Sequence, residues 1–206
     1  PVAHQQFLDK MKTDLGFEPK VCYDIGAAVL HWTRHAERVW PKTKVYLFDA
    51  FSPVEPLYKH HDYTMGVLSD VDDKIVLFYQ NDYMFGGNSY YREIGFDNGA
   101  HFPIENYKAK LTRSLDSIVK QKKYRLPDLI KIDVQGAELD VLKGGIETIK
   151  HAKYLIVELQ DVQYNEGAPL ANVTIQWLHD HDFECVAVKF SDNCPDGDYL
   201  CQNKNM

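Results

Sequence analysis

The chain lacks several things that would settle its class quickly. No apolar run comes near the ~18 residues that a membrane-spanning helix needs, and no signal-peptide pattern is visible, so membrane insertion is not expected. Basic residues are scarce: 23 Lys and Arg stand against 30 Asp and Glu, a formal net charge of -7. The densest basic stretch, Lys120-Gln121-Lys122-Lys123, suits the cation-favouring end of a helix. A nucleic-acid backbone asks for a basic face, so no nucleic-acid partner is expected. There is no C-x-x-C pair among the four cysteines, Cys22, Cys185, Cys194 and Cys201. That spacing supports neither a zinc site nor a disulfide scaffold. The cysteines read as mostly buried thiols in a reducing, cytoplasmic setting, with Cys194 and Cys201 the pair considered for a bridge. The dinucleotide fingerprint G-x-G-x-x-G is missing as well. The first candidate turn, Gly26-Ala27-Ala28-Val29-Leu30-His31, holds one glycine, so a pyrophosphate lying close on a helix start is not supported. Neither an internal repeat nor a low-complexity segment is found.

What is present is enough for a full core. A chain of 206 residues that is 45% hydrophobic reads as one domain, 1–206. It begins at Pro1 rather than Met, which fits either a removed initiator or a piece of a longer chain. Leu8, Met11 and Leu15 recur at helical spacing in an N-terminal cap helix, 4–15, ended by Gly16. Strands are expected at 21–24, 44–49, 63–68, 74–79, 109–115, 129–133, 154–159, 184–188 and 198–202. The strand 74–79 reads as a hairpin return on 63–68. Helices are expected at 27–40, 57–60, 116–123 with Asp116 as cap, 138–149, and 170–181 with Val173, Trp177 and Leu178 inward. Trp32 and Trp40 read as core. This alternation implies a mostly parallel sheet with helices on both faces. The last two strands are joined by too short a link for a parallel crossover, so they should be antiparallel. Residues 81–108 have weak periodicity and four glycines. So long an irregular stretch is uncommon in a compact domain and usually functional or mobile.

Three strands end in a carboxylate: Asp24, Asp49 and Asp133. The carboxyl edge of an open α/β sheet is where ligands bind. Asp49 ends the second strand about 25 residues after Asp24, where a carboxylate accepts both hydroxyls of a ribose. An adenosine ligand without a pyrophosphate fits, and S-adenosylmethionine is the common one.

The segments Tyr23-Asp24-Ile25-Gly26-Ala27, Leu47-Phe48-Asp49-Ala50, Leu68-Ser69-Asp70, Asn88-Ser89 and Ser114-Leu115-Asp116 follow in that order. After them come Lys131-Ile132-Asp133-Val134-Gln135-Gly136-Ala137-Glu138, Leu142-Lys143-Gly144-Gly145 and Ile156-Val157-Glu158. Together they resemble the FkbM-type S-adenosylmethionine-dependent methyltransferases, over most of the chain from about Val21 to Leu159. The resemblance implies the class I methyltransferase (Rossmann-like) fold, a mostly parallel seven-stranded sheet with one antiparallel strand. It implies methyl transfer to oxygen, commonly on a sugar or natural-product hydroxyl. It also implies cofactor contacts from Asp24, Gly26, Ala27, Asp49, Ala50, Leu68, Ser69, Asp133 and Val134. The chain departs from the family pattern at Ala28 and Leu30, where an asparagine and a second glycine are usual. It departs at Gln135, often a glutamate, and at Asp49-Ala50, usually Glu-Pro.

Methylating an alcohol requires loss of its proton, and a positioned base typically gives ~10²–10⁴-fold. Asp133 at the mouth of the crevice is one candidate, Glu158 at the end of the next strand a second, and His31 on the first helix turn a third. Asp133 and Glu158 together could hold a divalent cation through oxygen, but no metal ligand set is assigned. In the insert, Asn88, Tyr90, Tyr91, Arg92 and His101 are the candidate acceptor contacts. Their aromatic faces suit sugar C–H groups, and Asn and Arg suit hydroxyls. The expected activity is O-methylation of a sugar hydroxyl on a glycan or glycoside, with a glycosyltransferase domain or protein as a companion. Two alternatives stand beside it: a degenerate methyltransferase-fold binding module, and a nicotinamide-dependent oxidoreductase.

Overall fold

The computed structural model describes residues 2–95, 97–188 and 196–206. A seven-stranded sheet forms the centre, in the order β3-β2-β1-β7-β8-β10-β9. Its members are β1 (Val21–Ile25), β2 (Lys44–Asp49), β3 (Asp62–Met65), β7 (Leu129–Ile132), β8 (Tyr154–Gln160), β9 (Phe183–Val188) and β10 (Asp196–Asn203). The pairs within β3-β2-β1-β7-β8 are parallel, and β10 runs antiparallel to both β8 and β9. This is the class I methyltransferase sheet that the resemblance implied.

Alternation along the strands divides the core in two. Tyr23, Ile25, Ile130, Ile132, Leu155 and Val157 face one side. They pack there on Ile118 of α3 (Leu115–Lys122), Leu142 of α4 (Glu138–Gly144), Ile149 of α5 (Ile146–Ile149) and Leu178 of α6 (Ala171–Asp180). Cys22, Leu47, Leu129 and Ile156 face the other side, against Leu8 and Met11 of α1 (Val2–Thr13) and Trp32 and Ala36 of α2 (His31–Val39). Both Trp32 and Trp40 are buried, as the spacing suggests.

Several expectations change. Leu15 is exposed, because α1 stops at Thr13 and Gly16 turns the chain at φ +60°. Val173 is also exposed; Ala171, Thr174 and Leu178 form the inward face of α6. The helix expected at 138–149 breaks at Gly144-Gly145, where a Cβ on Gly144 would lie 2.0 Å from the Ser69 carbonyl oxygen. Ser114, not Asp116, caps α3, its Oγ accepting from the Ser117 amide at 3.3 Å. Asp116 instead accepts from the amides of Glu147 and Thr148 and ties α3 to α5.

The segment read as one strand at 63–68 is two strands. Gly66, at φ +153°, ends β3 and sends β4 (Val67–Leu68) into a second sheet of order β4-β6-β5. There β5 (Ile75–Tyr79) pairs antiparallel with β6 (Tyr107–Arg113), and β6 pairs parallel with β4. The 74–79 strand is therefore not a hairpin return on 63–68, because β6 lies between. Lys110 of β6 anchors this sheet to the main one. Its ammonium donates to the Ala50 carbonyl at 2.7 Å and sits 4.0 Å over the Phe78 ring.

The cysteine reading is also corrected. Cys185 and Cys201 are opposite each other in the β9–β10 register and form a disulfide. Cys201 is thus not available to Cys194, which lies outside the described residues. Cys22 is the buried thiol expected of it, and burial pushes it up to about 12. Among the described residues, no helix is long and apolar enough to cross a membrane.

Candidate active site

The turn after β1 is built by contact with its neighbours. Gly26 has φ +77°, and a Cβ there would lie 1.8 Å from the Asp133 carbonyl oxygen. Only glycine allows the two strand ends to approach so closely. The amides of Gly26 and Ala27 both donate to the Phe48 carbonyl, at 2.9 and 3.2 Å. Ala28 (φ +43°) and Leu30 (φ +66°) are left-handed. These are the two positions where the family usually carries asparagine and glycine, the residues that tolerate such angles.

Asp49 ends β2 beneath this turn. Its two oxygens accept from the amides of Ala28 and Phe51, each at 2.7 Å. Burial raises its carboxyl above the usual range, and these amides oppose the shift. Tyr58 donates to the Ala28 carbonyl at 2.7 Å and braces the turn from the other side.

The end of β7 carries the densest charge. Asp133 has about 31% of its side chain exposed, toward the cavity. Lys131, two residues earlier, is buried with its Nζ 3.1 Å from Asp133 Oδ2 and 3.5 Å from Asp24 Oδ1. The Gln135 amide nitrogen donates at 2.8 Å to both Asp133 Oδ1 and Glu158 Oε2. Burial alone would raise the Asp133 carboxyl, but Lys131 and the surrounding donors hold it below its usual value. Glu158 goes the other way: the Asp133 charge and then burial push it well above the carboxylate range. The two carboxyls are thus driven apart, Asp133 toward the ionised form and Glu158 toward the protonated one. Glu138 closes the loop from inside, its Oε1 accepting from the amides of Val134 and Gly136 at 2.9 and 3.2 Å.

These pieces surround a cavity of about 270 Å³ at the carboxyl ends of β1, β2 and β7. Its wall comprises Ile25, Gly26 and Ala28, then Phe48, Asp49, Ala50 and Phe51. Gly66, Val67 and Leu68 follow, with Phe78, and then Phe85, Gly86, Asn88, Ser89 and Tyr90 from the insert. Asp133, Val134, Gln135 and Ala137 complete it. Of the expected cofactor residues, the structure brings Gly26, Asp49, Ala50, Leu68, Asp133 and Val134 to this wall. Asp24, Ala27 and Ser69 do not line it. Asp24 is fully buried under α2, accepting from Thr33 Oγ1 at 2.5 Å beside Lys131. Ala27 is buried, and Ser69 shares a hydrogen bond with the Tyr90 hydroxyl at 3.2 Å.

Of the expected acceptor residues, Asn88 and Tyr90 reach the wall. Asn88 accepts from the Asn81 amide, and its side-chain nitrogen is buried without a partner among the described residues. Tyr90 and Tyr91 both donate to Asp140 Oδ2, at 2.8 and 3.0 Å, which latches the insert onto α4. Arg92 pairs with Glu166 at 2.9 Å, and His101 pairs with Asp97. Tyr91 and Arg92 thus tie the insert to its neighbours, His101 pairs within it, and none of the three lines the cavity. Among the catalytic candidates, Asp133 faces the cavity and Glu158 stands behind it through Gln135. His31 is exposed on the first turn of α2, away from the wall. Lys131, Phe51 and Phe78 belong to this site but are not among the residues that the sequence pattern singles out. Lys131 had a visible signal, a charge inside the apolar run Leu129 to Ile132.

The fit to a cofactor rests on this wall. A ribose would need a carboxylate acceptor, and Asp49 lies on the wall where it could serve as one. An adenine would need an apolar slot, and Phe48, Val67, Leu68 and Phe78 offer apolar surface on the same wall. The partnerless Asn88 amide is a buried donor of the kind that a ligand completes. A family model described as the methyltransferase FkbM domain matches residues 24–185. The chain belongs to this family. The 2-O-methyltransferase NoeI of Sinorhizobium fredii (strain NBRC 101917 / NGR234) is 35% identical over 95 residues, 46% of this chain and 37% of that protein. The match thus spans little more than a third of that relative's length. Among solved structures, cofactor-bound Rv0187 from MTB matches at TM-score 0.59 and 12% identity, covering 99% of this chain and 81% of that one. The Bacillus cereus O-methyltransferase in complex with SAH matches at TM-score 0.56 and 11% identity, covering 98% and 80%. At such identities the likeness shows the fold of this FkbM-domain chain, and its chemistry must come from its own site. Among the described residues, no group of three or more His, Cys, Asp and Glu is placed to hold a metal ion.

Proposed function

We propose that this protein is an S-adenosylmethionine-dependent O-methyltransferase that acts on a sugar hydroxyl of a glycan or glycoside. The observation that carries the reading is a single cavity with Asp49 at one part of its wall and Asp133 at another, in a chain of the FkbM family. The name of the 2-O-methyltransferase relative supports oxygen as the target. S-adenosylmethionine, when bound, supplies an electrophilic methyl group on a sulfonium.

The chain's own residues do the rest. Asp49 accepts the ribose hydroxyls with lone pairs that the Ala28 and Phe51 amides leave open. Gly26 lets the ends of β1 and β7 meet at the cavity wall, because a Cβ there would strike the Asp133 carbonyl. Asp133 accepts a hydrogen bond from the acceptor hydroxyl and so turns an oxygen lone pair toward the methyl group. A carboxylate held low by Lys131 is a weak base, but the demand on it is small. Oxygen becomes strongly acidic as it is alkylated, so even a weak carboxylate takes the proton late in the transfer. Glu158, through Gln135, steadies Asp133. Tyr90 and Asn88 present a polar edge to the acceptor from the insert.

Calorimetric titration with S-adenosylhomocysteine, followed by methyl transfer from labelled cofactor to a panel of glycosides, tests this reading. Asp133→Asn should bind the cofactor product with little change and lose about 10²-fold or more in turnover. Full turnover in that variant removes Asp133 from the mechanism. Absence of binding by the unaltered chain favours the binding-module alternative.

A further inference from the structure

Lys131 sits in the middle strand of the sheet, between Ile130 and Ile132, which face the α3–α5 side. Its own side chain faces the α2 side and is 9% exposed. Lysine is almost never buried unless it is paired. Its Nζ meets three different segments: Asp133 Oδ2 at 3.1 Å beyond the end of β7, Asp24 Oδ1 at 3.5 Å on β1, and the Gly26 carbonyl at 3.0 Å in the turn. Gly26 and Asp133 are also the two places where the backbone closes most tightly. One ammonium therefore ties the seat of the cofactor to the carboxylate that faces the acceptor.

We propose that Lys131 is a positioning residue for methyl transfer, fixing the Asp133 carboxylate and the Gly26 turn in one shared geometry. The proposal rests on the reading of the cavity as a methyl-transfer site. Asp133 faces or feels Lys131 on its own strand, Gln135 and Glu138 from the following loop and α4, Glu158 on β8, and Asp196 and Asp198 on β10. Lys131 is the one cation in that group. Without it the same carboxylates surround Asp133 unopposed, and its carboxyl must titrate at higher pH. The Gly26 carbonyl also loses its donor, so the turn loosens. A residue that served stability alone would change neither the acidic limb of turnover nor the orientation of Asp133.

The test uses the double variant Lys131→Met/Asp24→Asn, which removes the buried cation and its buried partner charge together. Replacing both members of a buried pair is often neutral for folding, whereas removing one strands a charge. Turnover should fall about 100-fold, with the acceptor KM within about threefold, the pattern of a lost transition-state interaction. The acidic limb of the pH–turnover profile should rise by at least about one unit, since loss of a nearby opposite charge shifts a carboxyl by this order. Amides of residues 26–30 should exchange hydrogen about tenfold faster, reporting a looser turn. An unmoved limb with normal turnover overturns the proposal, and so does faster exchange alone, which would leave Lys131 a purely structural part. If the variant does not fold, carbon-13 NMR of the unaltered chain decides. The Lys131 ε-carbon should respond to the acid titration of Asp133, and no response overturns the proposal. If the unaltered chain transfers no methyl group, the methyltransferase reading fails on its own, while the exchange and NMR arms still report whether the tie exists.

Discussion

Gly26→Ala is the sharpest perturbation of this site, because the structure fixes what the new methyl group would meet. The added Cβ lies 1.8 Å from the Asp133 carbonyl oxygen and 2.9 Å from its carbonyl carbon. Neither partner can retreat easily. The Asp133 amide donates to the Ile25 carbonyl at 3.0 Å, and the Gly26 amide donates to the Phe48 carbonyl at 2.9 Å. Moving either strand end breaks a ladder bond between β1 and its neighbours. The backbone angle adds a second cost. At φ +77° an alanine is disfavoured by roughly 1–2 kcal/mol. Overpacking against backbone typically adds about 1–3 kcal/mol. The sum predicts a loss of about 2–5 kcal/mol in urea unfolding, read as a lower midpoint at unchanged slope. Relief of the clash should push Asp133 away from the turn, so S-adenosylhomocysteine binding should weaken at least about tenfold by calorimetry. A Gly26→Ala protein with the original midpoint and the original Kd would show that the two strand ends are not packed against each other, and the geometry built on Gly26 would have to be abandoned.

Two further perturbations probe the same frame. Ala28→Gly should relieve the left-handed strain at φ +43° while keeping the amide that donates to Asp49. The expected gain is about 0.5–1 kcal/mol after the added unfolded-state entropy, or about 1–4 °C in Tm for a chain of this size, with cofactor-product binding retained; a lower Tm counts against the strain argument. Glu138→Gln addresses pH. Burial raises the Glu138 carboxyl to about 7 in the fold, above its usual 4.5, so its protonated form is favoured. That contribution is complete below about pH 4.5 and is lost as pH rises toward 7. The glutamine keeps the oxygen that accepts from Val134 and Gly136 and removes the titration. The variant should match the parent near pH 4.5 and exceed it by up to about 3 kcal/mol near pH 8, measured by denaturant unfolding across that range. A variant less stable than the parent at pH 8 refutes the sign.

The strand ends were legible because each is a short local signal: an apolar run, a carboxylate, then a glycine. β1, β2 and β7 therefore appear where the sequence suggests. The destinations of their carboxylates were only partly legible. Asp49 and Asp133 open on the cavity, but Asp24 points to the face that α2 covers, and Thr33 and Lys131 take its oxygens. Strand alternation gives a face; it does not say what roofs that face. The small sheet was hidden for a different reason. β5 looked like the return of the strand before it, and nothing local in residues 107–113 shows that β6 will insert between them. The Cys185–Cys201 bridge is likewise a fact of register between β9 and β10. Tyr90 and Tyr91 read as a sugar platform, yet their hydroxyls meet on Asp140, 50 and 49 positions away. Aromatic residues in an insert serve packing and recognition equally well, and composition does not separate the two.

Gln135 shows how one departure from the family pattern fits the charges around it. Its amide nitrogen carries two hydrogens and uses them on Asp133 and Glu158, which would otherwise face each other as two carboxylates. A glutamate at this position would put a third acidic group in the same space, and each bond would need a proton shared between two carboxyl groups. With glutamine the carboxylates are bridged without that proton, and Lys131 beneath them answers the one negative charge that Asp133 keeps. Gln135 takes a left-handed angle, φ +56°, to make the bridge. A non-glycine residue in that region costs of order 1–2 kcal/mol and persists where its surroundings require it. The strain, the bridge and the buried lysine thus point to one requirement, a single ionised carboxylate held in fixed orientation at the cavity wall.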